Sequence, residues 1–362
     1  MKITRIHQAH YEQVVTCEDP DSGLRAIIAV HDTTLGPALG GLRMWPYASW
    51  DDALFDVLRL SKGMTYKSAV AETGLGGGKS VILGNPKTQK SEKLFLAMGK
   101  FIDSLGGAYI TAEDVGTSPD DMKIVRRATR YVSGLPRDMG SSGDPSPWTA
   151  LGCFRGIVAS CEEVFGTGDL KGRTVALQGC GHVGKYLAEH LAKAGAKLVL
   201  ADISPERAAE VAKATGGSVV DASEILSTPC DVLAPCALGA VINDETLPRL
   251  KTRIVAGAAN NILLREEHGA RLKAAGILLA PDYVINAGGI INVSIEFEKG
   301  GYDEARSRAK VENIYHALKK VYAVSKAHHM PTNEAANHLA QDILHKARAS
   351  KSKEPAAPSH ER

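Results

Sequence analysis

Apolar positions along this 362-residue chain fall into two regimes. In the second half, short apolar runs of strand type recur. They are Thr174–Gln178 (TVALQ), Lys197–Ala201 (KLVLA), Ser218–Val220, Asp231–Ala234, Arg253–Ala256 and Ile277–Ala280. Helical spacing fills most of the intervals between them. Strand–helix alternation of this kind predicts a parallel, doubly wound sheet. Residues 1–145 mix strands and helices less regularly. Leu24–His31 (LRAIIAVH) is apolar and β-branched, as a strand is, and Lys79–Leu83 and Ala108–Thr111 are shorter strand patterns. Gly36–Tyr47 (GPALGGLRMWPY) is instead punctuated by glycine and proline. Ser49 reads as a helix N-cap, with Asp51 and Asp52 in the first turn. Leu54, Val57, Leu58 and Ser61 follow at helical spacing, and Gly63 is the expected stop. Gly140–Pro147 (GSSGDPSP) is dense in turn formers and reads as a hinge before a helical stretch, Thr149–Phe165. Helical spacing returns over Ala305–Lys326 and Asn333–Ala349, and 350–362 reads as a disordered tail.

Composition narrows the classes. Hydrophobic residues make 44% of the chain and charged residues 23%, which suits a globular protein and excludes disorder over most of its length. The length suggests two domains or three. A net charge of +2 offers no basis for nucleic acid or an anionic membrane surface as a partner. No apolar run reaches the roughly 18 residues of a membrane helix, and the start, MKITRIHQAHYEQVV, lacks an apolar leader, so a cytoplasmic location is expected. The six cysteines show neither a CxxC nor a zinc spacing and are expected to be reduced, with no metal site. Glycine, at 36 residues, is in excess and clustered, and two clusters carry chemistry.

The first cluster is Gly179-Cys180-Gly181-His182-Val183-Gly184, a GxGxxG that follows one predicted strand and opens a predicted helix. Asp202 ends the next strand, 18 residues after Gly184. The motif therefore has its full context as a dinucleotide-binding turn. Gly179 permits the tight turn, Gly181 lets the backbone approach a pyrophosphate, and Gly184 lets helix and strand pack closely. Helix N–H groups and the helix dipole then favour the phosphates. Asp202 would accept hydrogen bonds from ribose hydroxyls and repel a 2′-phosphate, which points to NAD, with Arg207 close enough in sequence to soften that preference. A superficially similar run, Gly74–Ser80 (GLGGGKS), fails the phosphate-loop spacing because Thr73 stands where glycine is required.

The second cluster surrounds two lysines, Lys67 in GMTYKSA and Lys79 in GLGGGKS. Glycines let substrate and backbone approach, and a lysine that is crowded by another cation and partly desolvated can serve as a base near neutral pH. Asp114, in TAEDVG, follows a strand-like run, where α/β sites gather. Set against these readings are a solvated surface charge for a lysine and a turn or capping aspartate for Asp114.

The motifs GPALGGLRMWPY, KGMTYKSA, GLGGGKSVILGNP, YITAEDVGTSPDDM, GSSGDPSPWTALG, PCALGAVIND, AGAANN and INAGGIINV stand in this order along most of the chain. Together they resemble the amino acid dehydrogenase family of leucine, valine, phenylalanine and glutamate dehydrogenases, and within it the leucine-acting branch. The resemblance implies NAD-dependent oxidative deamination of an L-amino acid to a 2-oxo acid and ammonia. It implies that Lys67 binds the substrate carboxylate, that Lys79 is the general base toward water, and that Asp114 exchanges protons with the amine. Asn261 and Asn286 would touch the nicotinamide side, and Gly40 and Gly41 would let the main chain approach substrate. Where glutamate enzymes hold a distal carboxylate, this chain has Leu39 and Val293. A carboxylate buried there without a partner is disfavoured. With Ala112 and Ile290 they imply an aliphatic lining that suits branched-chain substrates, unless all four are ordinary core residues. The chain departs from the leucine enzymes at Leu42, at Glu72-Thr73 and over Ser294–Tyr302, which keeps phenylalanine or tryptophan as alternative substrates.

The expected architecture is α/β in two domains with a cleft between them. Residues 1–143, with a C-terminal helix over about 331–349, form a mixed α/β substrate-binding and oligomerisation domain. Residues 144–330 form a Rossmann NAD-binding domain. Resemblance suggests a homo-octamer. An inactive NAD- or amino-acid-binding sensor is the alternative of another class; the presence of Lys67, Lys79 and Asp114 argues against it. A hydroxy-acid dehydrogenase would want a catalytic histidine, and His182 lies inside the cofactor turn.

Overall fold

Among the described residues of the computed structural model, 1–237 and 239–352, twelve strands form two six-stranded sheets. The chain divides into two units, Met1–Ser133 with the segment from His338 on, and Gly134–Asn337.

The sheet of the first unit contains β1 (Lys2–Ile6), β2 (Gln13–Asp19), β3 (Leu24–Asp32), β4 (Ala38–Trp45), β5 (Gly76–Leu83) and β6 (Tyr109–Glu113), in the order β1-β2-β3-β5-β4-β6. β1, β2, β3 and β5 pair antiparallel, while β4 runs parallel to both β5 and β6. A parallel pair needs a crossover, and the helix Trp50–Val70 supplies it between β4 and β5. Its apolar face joins Ala53 and Val57 to Val14, Ile27, Ala29 and Val81 of the sheet. Ser49 caps it as expected, its hydroxyl accepting from the Asp52 N–H.

Two local expectations fail here. Gly63 does not end the helix, which runs on to Val70. Thr65, Ser68, Ala69 and Val70 are buried beyond it, and that burial outweighs the roughly 1 kcal/mol that a mid-helix glycine costs. The punctuated stretch Gly36–Tyr47 is mostly strand β4, flanked on both sides by other strands. Its glycines mark close backbone approach: a Cβ on Gly40 would lie 1.8 Å from the Gly78 carbonyl oxygen.

The second unit contains β7 (Thr174–Gln178), β8 (Lys197–Ala201), β9 (Ser218–Val219), β10 (Val232–Pro235), β11 (Ile254–Val255) and β12 (Leu278–Leu279). All pairs are parallel and the order is β12-β11-β10-β7-β8-β9, the doubly wound arrangement that the alternation predicts. β9, β11 and β12 are shorter than their apolar runs. One face packs Ala176, Leu233, Val255, Leu272 and Leu279 into a core. The strand order reverses between β7 and β10, and the glycine loop follows β7 at that point. Doubly wound sheets bind their ligands at this switch.

The helix expected from Thr149 starts at Ser146, with Pro147 in its first turn, where a missing N–H costs nothing. The single expectation Ala305–Lys326 resolves into two helices, Glu304–Glu312 and Ile314–Ala327, broken at Asn313. The final helix is Thr332–Lys351, so 350 and 351 are helical, and the expected tail from 353 on lies outside the described residues. No described helix is long and apolar enough to cross a membrane.

Candidate active site

Three parallel neighbours, β5, β4 and β6, carry most of the first unit's candidate residues. Lys79 lies within β5 and Asp114 directly follows β6. Lys79 is 5% exposed, and its Nζ meets Asp114 Oδ2 at 2.9 Å. Burial pushes the lysine below its ordinary range, and the facing carboxylate pulls it back only in part. Burial alone would raise Asp114, but Lys79 and then Arg43 outweigh it and hold the carboxyl below the usual carboxylate range. Asp114 is fixed from behind as well, because its N–H donates to Thr117 Oγ1 and the Thr117 hydroxyl donates to the Leu42 carbonyl.

Arg43 was not among the residues singled out from sequence. From β4, its Nε donates to Asp114 Oδ2 at 3.0 Å and its Nη1 to Asp56 Oδ2 at 2.8 Å. Arg43 stands two residues after Gly41 on β4, where nothing in the local sequence marks it. Leu39, Gly40 and Gly41 precede it on β4, where Gly40 and Gly41 pair with Thr111 and Ala112 of β6. A Cβ on Gly41 would sit 2.7 Å from Asp114 Cβ, so glycine there leaves room for the aspartate itself. Leu39 is buried, and Ala112 is partly so. Lys67 is half-buried in the last turn of Trp50–Val70. Leu42 is a core residue.

In the second unit the glycine loop has the form a dinucleotide requires. Gly179 has φ +98°, a left-handed backbone that suits glycine, and its N–H donates to the Ala201 carbonyl at 2.8 Å. A Cβ on Gly184 would lie 1.9 Å from the Gly179 carbonyl oxygen, whereas one on Gly181 would meet nothing within 4 Å. The first and last glycines are thus closed by the protein, and the middle one faces open space. Gly181 caps the helix His182–Lys193 without a side-chain hydrogen bond, so the N–H groups of the first turn, at His182 and Val183, are left for an acceptor. Gln178, just before the loop, has a buried Oε1 without a partner among the described residues. The open space at Gly181 and the free N–H groups of the helix fit a bound pyrophosphate. Asp202 Oδ2 accepts from the Cys180 N–H at 2.7 Å, Oδ1 accepts from the Ser204 N–H at 2.8 Å, and Arg207 stands off at 3.8 Å. Burial pushes the Cys180 thiol up to about 11, so it is neutral.

Asn286 is buried, and its Nδ2 donates to Ala258 O and to Asn260 Oδ1, a neighbour that sequence reading passed over. Asn261 is exposed at φ +50°, its N–H held by Asp282. Ile290 and Val293 are both buried, on the helix Gly288–Ser294. The six cysteines are free thiols. No group of side chains suited to a metal ion occurs among the described residues.

Comparison with known proteins shows what the chain as a whole is similar to. The Glu/Leu/Phe/Val dehydrogenase dimerisation domain matches residues 11–131, and the Glutamate/Leucine/Phenylalanine/Valine dehydrogenase domain matches 200–351. A leucine dehydrogenase of Thermoactinomyces intermedius is 51% identical over 94% of this chain and 93% of its own length. A phenylalanine dehydrogenase of Bacillus thermotolerans is 48% identical over 93% of this chain and 89% of its own. Among solved structures, the L-tryptophan dehydrogenase of Nostoc punctiforme superposes with a TM-score of 0.84 at 44% identity, covering 94% of this chain and 97% of the other.

Proposed function

Because this chain belongs to the Glu/Leu/Phe/Val dehydrogenase family, and so is an amino acid dehydrogenase that uses a nicotinamide cofactor, we propose that it deaminates L-leucine and other branched-chain L-amino acids to 2-oxo acids and ammonia, reversibly, with NAD. The observation that carries the reading is the pair formed by buried Lys79 and half-buried Asp114, at 2.9 Å. A lysine whose pKa burial has lowered is a usable base, and the aspartate beside it is a site for a second proton.

When bound, the nicotinamide supplies the hydride acceptor for the substrate α-carbon. The residues that would hold the dinucleotide are Gly179–Gly184 at the phosphates and Asp202 at the ribose, with Asn261 and Asn286 on the nicotinamide side. Asp202 supports NAD over NADP, since a carboxylate there meets a 2′-phosphate with like charge. Lys67 binds the α-carboxylate as a point charge. Asp114 accepts a proton from the substrate ammonium and later returns one to the departing ammonia. Neutral Lys79 takes a proton from water as the water oxygen bonds to the iminium carbon and the C–N π electrons pass to nitrogen. By resemblance, Leu39 and Ala112 of the first unit offer the side chain an aliphatic surface, as Ile290 and Val293 of the second do. Such surfaces separate substrates by only about 1–3 kcal/mol per methylene, so several branched amino acids are accepted. The match to a dimerisation domain supports a homo-oligomer, and the octamer implied by resemblance is the state we propose.

The test is NADH formation across leucine, valine, isoleucine, phenylalanine, tryptophan and glutamate, with NAD and with NADP. Branched aliphatic substrates with NAD are expected to turn over fastest, and Lys79→Ala to lower kcat by roughly 10²–10⁴-fold. Preference for an aromatic substrate would favour the second reading, which the phenylalanine and tryptophan relatives support. Silence on all six substrates would overturn the enzyme reading.

A further inference from the structure

The roles above leave Arg43 unused, although it touches Asp114 as closely as Lys79 does. Around it runs a line of alternating charge. Lys79 on β5, Asp114 after β6, Arg43 on β4 and Asp56 on the helix Trp50–Val70 follow one another at 2.9, 3.0 and 2.8 Å. Behind Asp56, the Tyr47 hydroxyl donates to Oδ2 at 2.7 Å, and Arg59 pairs with Oδ1 at 3.1 Å. Arg43 is therefore clamped between two carboxylates. Both it and Lys79 meet Asp114 at the same oxygen, Oδ2.

The proposed chemistry sets this line a problem. Lys79 acts as a base only while neutral, and in that state Asp114 has lost one of its two counter-charges. A partly buried carboxylate that loses its cations tends to take up a proton, and the aspartate could then no longer accept one from the substrate. A guanidinium keeps its charge throughout the pH range in which proteins fold.

We propose that Arg43 is a positioning residue for this reaction: it holds Oδ2 of Asp114 beside Lys79, leaves Oδ1 to face the substrate, and keeps that carboxylate ionised through the step in which Lys79 lacks its proton. The inference rests on the roles given to Lys79 and Asp114 above. Asp56 anchors the other edge of Arg43 and offsets part of its charge. The ionisable groups around Lys79 are thus Asp114, Arg43 and Asp56. Tyr47 and Arg59 lie beyond Asp56, Tyr109 is near Asp114 on β6, and Lys67 shares a helix with Asp56.

The experiment compares the pH dependence of kcat in the wild type, Arg43→Met, Arg43→Lys and Asp56→Asn. Loss of the Arg43 charge makes neutral Lys79 harder to form, so the acidic limb is expected to move up by about one to two pH units, a tenfold loss of kcat per unit at fixed acidic pH. Loss of the Asp56 charge moves the limb the other way. Arg43→Lys keeps the limb near its wild-type place while lowering kcat, because an ammonium lacks the fork that spans two carboxylates. Labelling of Lys79 by acetic anhydride across pH, read by peptide mass, follows the same titration without turnover. Arg43→Met with an unmoved limb, or Arg43→Met and Asp56→Asn moving it in the same direction, would overturn the inference. If Arg43→Met does not fold, the sign of the Asp56→Asn shift decides. A wild type inactive on every amino acid would remove the reaction and this role with it, and labelling midpoints that still move in opposite directions would mark that failure as one of the functional reading.

Discussion

A methyl group is too large for position 40. The Cβ it would bring lies 1.8 Å from the Gly78 carbonyl oxygen, and backbone cannot swing aside as a side chain can. Gly40→Ala is expected to destabilise by about 3 kcal/mol, read from the urea midpoint, and to lower activity because β5 carries Lys79. Gly63 is the contrasting case, with nothing within 4 Å of its missing Cβ and a helix on both sides. Gly63→Ala is expected to stabilise by about 0.5–1 kcal/mol. His31 sets a pH dependence. Burial pushes it down to about 4, with Asp32 opposing, and its Nδ1 lies 2.8 Å from Thr65 Oγ1. The unfolded chain takes up this proton near pH 6.5 and the folded chain does not. Its contribution is thus intact above that pH and fades as the pH falls toward 4, by about 2–3 kcal/mol. His31→Gln should flatten this part of a stability–pH curve. At this scale Lys67, Lys79 and Asp114 stood out in the sequence through glycine-rich settings and family resemblance. Arg43 and Asp56 did not, because an arginine in a strand and an aspartate in a helix have no local signature until the sheet brings them together.

At the scale of elements, the segment leading to the helix Ser146–Phe165 shows what local reading misses. Gly140–Pro147 has the composition of a hinge, and its start is tied to Glu296, far along the chain. Glu296 Oε1 accepts from Ser141 Oγ at 2.7 Å, from the Ser142 N–H at 2.9 Å and from the Gly134 N–H at 3.2 Å. Asn292 Nδ2 donates to the Ser142 carbonyl, while its Oδ1 accepts from Tyr302 and Ser307 hydroxyls at 2.8 and 2.7 Å. The stretch Ser294–Tyr302, unfamiliar against the leucine enzymes, thus fastens this segment to the helix that carries Ile290 and Val293. Glu296→Ala leaves two N–H groups and a hydroxyl without their acceptor. A loss of about 2–3 kcal/mol is expected, seen as a lower urea midpoint, with Glu296→Gln recovering part of it.

Across the whole molecule, the C-terminal helix Thr332–Lys351 passes from one unit to the other along the chain. From its midpoint on it binds far upstream residues. Arg348 pairs with Asp32 and donates from Nε to Thr34 Oγ1 at 3.2 Å, and Gln341 donates to the Tyr66 hydroxyl at 2.9 Å. Asp32 is buried, whereas Arg348 is largely exposed, so solvent screens part of the pair. Arg348→Ala is expected to cost about 1–2 kcal/mol, measured by thermal unfolding, because it leaves a buried carboxylate with one cation fewer. The sequence by itself determined the doubly wound sheet and its glycine loop, since β7, the loop and the helix after it are contiguous and their periods are local. Only the tertiary structure decided that Gly36–Tyr47 is a strand flanked by others, that the helix passes Gly63, and that Arg43, Asp56, Lys79 and Asp114 form one line of charge. Burial and ion pairing act through space, between residues that different elements carry, and no spacing along the chain encodes them.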